Sequence, residues 1–135
     1  MADGSNYVGT FKEGAKSGYG VFEWSDGSVY MGNWMDDNHH GSGEYIWSDG
    51  RKYNGEWKEN MFHGQGVYTQ RDGKRYEGSF ENDKKHGQGK CTWPDGKSYD
   101  GGWKDGLQHG TAILTNSKGK SKKGVWSEGE RETWE

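Results

Sequence analysis

The chain has one cysteine in 135 residues, Cys91, so no internal disulfide can form and a reducing compartment is the expected setting. No apolar run approaches the length needed to span a bilayer. Residues 1–6 carry neither the basic nor the apolar region of a secretory signal, and a cytoplasmic location follows as the expectation. Apart from one short basic run at 118–123, charge of one sign is not concentrated either. Eighteen Lys and Arg are interspersed with 21 Asp and Glu, for a net charge of −3. That excludes the clustered cations nucleic acid requires and predicts weak docking onto acidic lipid. Apolar residues make up only 27% of the chain and the mean hydropathy is −1.32, values that taken alone lean toward disorder.

The aromatic residues argue the other way. Eight Trp, eight Tyr and four Phe are too many for a solvated tail, and a chain poor in aliphatic residues must build its core from rings. They recur at a fixed period. Tyr7, Tyr30, Tyr53, Tyr76 and Tyr99 are 23 residues apart. Gly9, Gly32, Gly55, Gly78 and Gly101 follow two positions later, and Phe11, Trp34, Trp57, Phe80 and Trp103 two further on. The second half of each unit carries Gly18, Gly41, Gly64, Gly87 and Gly110, then Gly20, Gly43, Gly66, Gly89 and Ala112. Next come Phe22, Tyr45, Tyr68, Cys91 and Leu114, followed by Trp24, Trp47, Gln70, Trp93 and Asn116. Asp-Gly pairs at 26–27, 49–50, 72–73 and 95–96 close the units, drifting to Lys118-Gly119 in the fifth, and Gly124-Val125-Trp126 begins a sixth.

Alternation at period 2 makes each half a strand with one aromatic face. Tyr53, Gly55 and Trp57 share that face, with Asn54, Glu56 and Lys58 opposite. Asp-Gly between two such strands predicts a type I′ hairpin, and the connector between halves, such as Lys58 to His63, reads as longer and polar. The expected fold is all-β: an elongated, twisted, single-layer antiparallel meander of repeated hairpins. Each strand glycine leaves a slot for a neighbouring ring. Two strands per unit at ~4.8 Å give ~9.5 Å per repeat and about 50 Å in all. The expected layout is a lead-in (1–6), five repeats (7–29, 30–52, 53–75, 76–98, 99–121), and a partial sixth with a C-terminal cap (122–135).

Candidate chemistry is sparse. His40, His63, His86 and His109 form a column, but equivalents ~9.5 Å apart cannot share a metal whose ligand nitrogens lie within about 4 Å of each other. They read as loop histidines bonded to their own turns. The Asp column is explained by the turns, Cys91 as a buried, inert thiol, and Gly87-Gln88-Gly89-Lys90 has no following helix to make a phosphate cradle. No catalytic residue, metal or cofactor is expected. The binding candidate is the aromatic stripe: Tyr30, Trp34, Tyr45, Trp47, Tyr53, Trp57, Tyr68, Tyr76, Phe80, Trp93, Tyr99 and Trp103, read as core and groove at once. On the other face Val8, Tyr19, Val21, Met31, Met35 and Ile46 form an apolar patch, a candidate surface for a partner or a second copy. The basic run Lys118 to Lys123 reads as a solvated loop.

The Y-x-G-x-(W/F) unit with its following glycines resembles the MORN (membrane occupation and recognition nexus) repeat, most closely over Tyr30–Gly41, Tyr53–Gly64 and Tyr76–Gly87, and overall from Tyr7 to Trp126. The resemblance implies a non-enzymatic scaffold whose groove holds a peptide or helix of a protein partner, in cytoskeletal, ciliary or membrane-junction assemblies. It also implies two alternatives: a phospholipid-binding module, or the regulatory region of a larger protein such as a phosphatidylinositol-phosphate kinase or a lysine methyltransferase.

Overall fold

Strict alternation of ring or glycine with polar residues gives strands that bury one side only, and here every such segment is a strand. The computed structural model describes residues 4–134; the ends of the expected lead-in and cap, residues 1–3 and 135, lie outside them. The elements are β1 (Asn6–Lys12), β2 (Ala15–Glu23), β3 (Val29–Met35), β4 (Asn38–Ile46), β5 (Lys52–Lys58), β6 (Met61–Thr69), β7 (Arg75–Glu81), β8 (Lys84–Thr92), β9 (Ser98–Lys104), β10 (Leu107–Thr115), β11 (Ser121–Ser127) and β12 (Glu130–Trp134). They form one 12-stranded antiparallel sheet in sequence order. The all-β meander expected from the repeat is the fold observed.

The two kinds of connection are exchanged relative to the sequence reading. The half-to-half connector is the tight one: β5 and β6 are joined by Glu59 and Asn60 alone, both left-handed (φ 49° and 68°), as a type I′ turn demands. Asp36-Asp37 and Asn82-Asp83 do the same. The Asp-Gly segments are instead five-residue loops. In 70–74, Gly73 N–H bonds Gln70 O (3.0 Å) and Gln70 N–H bonds Lys74 O (2.7 Å), with only Gly73 at positive φ (98°). The Asp72 carboxylate accepts Lys74 N–H at 2.9 Å, an Asx turn repeated at Asp26, Asp49 and Asp95. Asp and Gly are therefore needed in turn, but not for the turn type their adjacency suggests.

Within each tight hairpin the ladder slips. Gly32 faces Gly43 and Trp34 faces His39, so His40, Gly41 and Ser42 oppose Asn33 alone. This wide bulge explains why β4, β6, β8 and β10 have nine residues and their partners seven. Gly41 (φ 78°) sits at the bulge where an L side chain would be strained. The histidine column (His40, His63, His86 and His109) lies in these strands, within the bulges, rather than in loops. Consecutive repeats also lock through their tight turns: Asn60 N–H bonds His39 O (3.1 Å) while its side chain accepts His39 N–H (2.7 Å), and Asp83 repeats the arrangement on Phe62.

Candidate binding groove

In the first four repeats the tyrosine lies flat on a glycine of the next strand; in the fifth, Ala112 holds that place. A Cβ on Gly43 would come within 2.6 Å of Cε2 of the Tyr30 ring, and Gly66 meets Tyr53 and Gly89 meets Tyr76 in the same way. The tyrosine hydroxyl then donates to the carbonyl opposite the bulge: Tyr30 to Asn33 O (2.8 Å), Tyr53 to Glu56 O, Tyr76 to Ser79 O and Tyr99 to Gly102 O (each 2.7 Å). The bulge carbonyl thereby gains a side-chain partner. Burial pushes all four phenols above the usual tyrosine range.

Between tyrosines of successive repeats stands a ring edge-on. Trp57 meets Tyr53 at 4.9 Å and Tyr30 at 5.6 Å, at interplanar angles of 80° and 86°. The series continues through Tyr53–Phe80, Tyr76–Phe80, Tyr76–Trp103, Tyr99–Trp103 and Tyr99–Trp126. Such edge-to-face contacts suit the ring quadrupole. Trp34, Trp57 and Trp103 also donate their indole N–H to Gly20 O, Gly43 O and Gly89 O at 3.0–3.2 Å. This ladder is the core: Tyr30, Trp34, Tyr53, Trp57, Tyr76, Phe80, Tyr99 and Trp103 are all 0–7% exposed.

The aromatic stripe thus has two layers. Of the twelve residues singled out from the sequence, those eight are buried. Tyr45, Trp47, Tyr68 and Trp93 are half-buried and present surface. Trp47 packs against Tyr45 (4.5 Å), Phe62 and Tyr68, with the Arg51 guanidinium 4.8 Å above it. Two hollows of about 300 and 320 Å³ share Trp47, Phe62 and Asp83; the first also touches Tyr68, Arg51 and Lys85, the second His39 and Tyr45. A third, of about 540 Å³, opens where Gln70 interrupts the tryptophan column, between Arg51, Tyr68 and Arg71.

A further column escaped the sequence reading. Lys16, His39, Phe62, Lys85 and Gln108 occupy one place in successive repeats, directly across from the edge-on ring. Phe62 stacks on Tyr53 and His39 on Tyr30, both at 3.9 Å and nearly parallel, and Lys85 Nζ lies 5.4 Å from the Tyr76 centroid. Four residue types in five repeats leave no consensus letter; only the 23-residue spacing could have exposed them. His39 is boxed by Tyr30, Trp34 and Trp57, its Nδ1 is buried without a hydrogen-bond partner, and burial drives its pKa down to about 4. Burial likewise raises the Cys91 thiol, and the thiol is 1% exposed.

On the opposite face Val8, Tyr19 and Met35 are 52–67% exposed, and Val21, Met31 and Ile46 are half-buried. Residues 118–123 are exposed. Among the described residues no three of His, Cys, Asp and Glu converge to hold a metal ion, and no helix is long and apolar enough to cross a membrane.

A comparison with curated proteins finds no match. The family model for the MORN repeat matches five consecutive units, at residues 7–29, 30–50, 53–75, 76–98 and 99–121. With its period, ring ladder and hairpin register accounted for by that unit over most of its length, the chain belongs to the MORN-repeat family.

Proposed function

We propose that the chain is a non-enzymatic adaptor that binds a protein segment, a peptide or helix, along the aromatic face. MORN repeats generally serve as scaffolds that bind proteins or membrane lipids, which supports the class. The observation that carries the reading is the second ring layer. Outside the fully buried ladder, Tyr45, Trp47, Tyr68 and Trp93 pack against it while keeping part of their surface exposed, and the first three line adjoining hollows. Large, rigid, partly wet rings of this kind dominate interaction hot spots.

The test is affinity capture from the source cell with the native chain and with a Trp47→Ala, Trp93→Ala double variant. The account expects the captured partners to be lost while the unfolding midpoint changes little. Retention of the same partners refutes groove binding. Substitution of Trp57 or Tyr76 would be uninformative here, because both belong to the buried ladder. Co-sedimentation with phosphoinositide vesicles tests the lipid alternative, for which the exposed basic run 118–123 is a contact candidate. We propose that the exposed apolar patch around Val8, Tyr19 and Met35 makes a second contact, with another copy, and Met35→Glu should abolish any dimer seen by sedimentation.

A further inference from the structure

The cations on the aromatic face are not equivalent. Lys16 lies over Phe22 at 5.2 Å and is paired with Asp37 at 3.5 Å; the Asp37 carboxylate also accepts Lys16 N–H at 2.8 Å. Arg51, over Trp47, is paired with Asp49 at 2.8 Å. Farther along the same face the cations lack ion-pair partners among the described residues. Lys85 stands in the place of Lys16, three repeats on, over Tyr76 (5.4 Å) and Trp103 (5.1 Å). The turn position that supplies Asp37 to Lys16 supplies Gly106 to Lys85. The turn still docks, Gly106 N–H bonding Lys85 O at 2.9 Å, but it brings no carboxylate.

Two more lysines join Lys85. Lys74 and Lys97 lie 5.1 and 5.3 Å from the Trp93 ring centre. Lys74 and Lys85 both act on the buried Cys91 thiol, and Lys74 opposes the charge on Lys85. Among the described residues none of the three enters an ion pair. The nearby acids Asp83, Asp72 and Asp95 accept backbone N–H groups of Phe62, Lys74 and Lys97, and none forms an ion pair with the three lysines. A desolvated cation without a counter-charge is unfavourable. An incoming carboxylate would face two or three ammonium donors over a ring platform, beside the apolar hollow of Trp47, Phe62 and Tyr68.

We infer that Lys74, Lys85 and Lys97 form an acid-reading subsite of the groove, and that the partner segment carries Asp or Glu next to a bulky apolar anchor. The inference rests on the groove-binding reading and specifies the partner's chemistry. The apolar hollow favours a peptide over a bare anion, because it needs a side chain to fill it. The lysines then select the acidic peptide by charge complementarity.

Gly106 provides the test. Nothing lies within 4 Å of a Cβ there, and its φ of 86° is close to that of Asp37, Asn60 and Asp83 (68° each) at the same turn position. Gly106→Asp and Gly106→Asn are thus matched in fit and differ in charge. Short random peptides displayed on phage are selected on the native chain, and the winners are measured by fluorescence anisotropy against both variants and Lys85→Met. Thermal unfolding of each variant confirms that it folds. The expected result is enrichment of Asp and Glu beside Trp, Leu or Ile. Affinity should fall about tenfold from Gly106→Asn to Gly106→Asp and again on Lys85→Met, a loss that shrinks at high salt.

Equal affinity for the two Gly106 variants, or winners without acidic excess, overturns the inference; if those winners still lose affinity on Trp47→Ala, groove binding survives alone. Selection of no peptide overturns both. Binding of phosphoinositide vesicles that is sensitive to Gly106→Asp, without peptide binding, reassigns the lysines to a membrane and overturns the inference.

Discussion

Lys16 and Lys85 hold the same place in the repeat, yet one is neutralised by Asp37 and the other faces Gly106. Around Lys16, His39 and Phe62 the face is ring-rich, with Phe22, Trp24, Tyr45, Trp47 and Tyr68 on neighbouring strands. Around Lys85 the equivalent places are Cys91 and Trp93, flanked by Gln70 and Asn116. Backbone and register do not differ between these regions: Gly32 faces Gly43 and Gly78 faces Gly89 in identical bulged hairpins. The fold asks only that something flat or long cover the exposed side of each tyrosine. A phenyl ring, an imidazole and a lysine stem all do so, and this column is therefore free to vary with the partner.

The largest expected effect probes the shared part. Tyr53→Ala and Tyr76→Ala should each cost about 3–5 kcal/mol in urea unfolding, because each empties a ring site in the buried ladder. Gly66→Ala and Gly89→Ala should cost about 1–3 kcal/mol by driving a methyl into those same rings. Effects that differ widely between the two regions would break the claim that their cores are equivalent.

Acidification should separate the regions next. His39, with its pKa lowered to about 4, stays neutral when folded, whereas an unfolded histidine takes up its proton near pH 6.5. Its contribution is thus full above pH 6.5, falls as pH drops toward 4, and is constant below. The whole change is at most about 3 kcal/mol. The carboxyls of Asp37 and Asp49 are held low, first by the backbone N–H groups of Lys16 and Arg51, and lose their contribution only at still lower pH. His39→Phe, the residue found at the equivalent Phe62, should flatten the curve between pH 6.5 and 4 in pH-dependent chemical unfolding. An unchanged slope would place the titration elsewhere.

The smallest effect concerns the cations themselves. Lys16→Met should lower stability by no more than about 1 kcal/mol, since its partner Asp37 is exposed. Lys85→Met should be neutral or slightly stabilising, because it removes a half-buried charge with no carboxylate partner. A clear loss at Lys85 in thermal unfolding would reveal a structural ion pair there and blunt the contrast.

Much of this was legible in the sequence because the fold is written in residues that few others can replace, Ala112 being the one departure from the glycine column of Gly20, Gly43, Gly66 and Gly89. Only glycine leaves room for the Tyr53 ring on Gly66, and only a ring spans from Tyr30 to Tyr53 as Trp57 does. The strands, their faces and their order follow from those columns. The turn types did not, because Asp72-Gly73 serves an Asx-capped five-residue loop as well as it would serve a two-residue one. Glu59-Asn60, which does make the tight turn, has no strong letter. Nor could spacing divide the stripe into layers, since Trp47 and Trp57 look alike until the ladder shows which ring is enclosed.

That division is tested most directly by equilibrium unfolding of Trp57→Ala beside Trp47→Ala. Trp57 is 5% exposed and wedged between two tyrosines, and its loss should cost about 3–5 kcal/mol. Trp47 packs on the outside of the ladder and is only partly buried, so its loss should cost less, about 1–2 kcal/mol. Equal losses at the two positions would contradict the account, for the outer rings would then be core as well and no aromatic layer would be left for a partner.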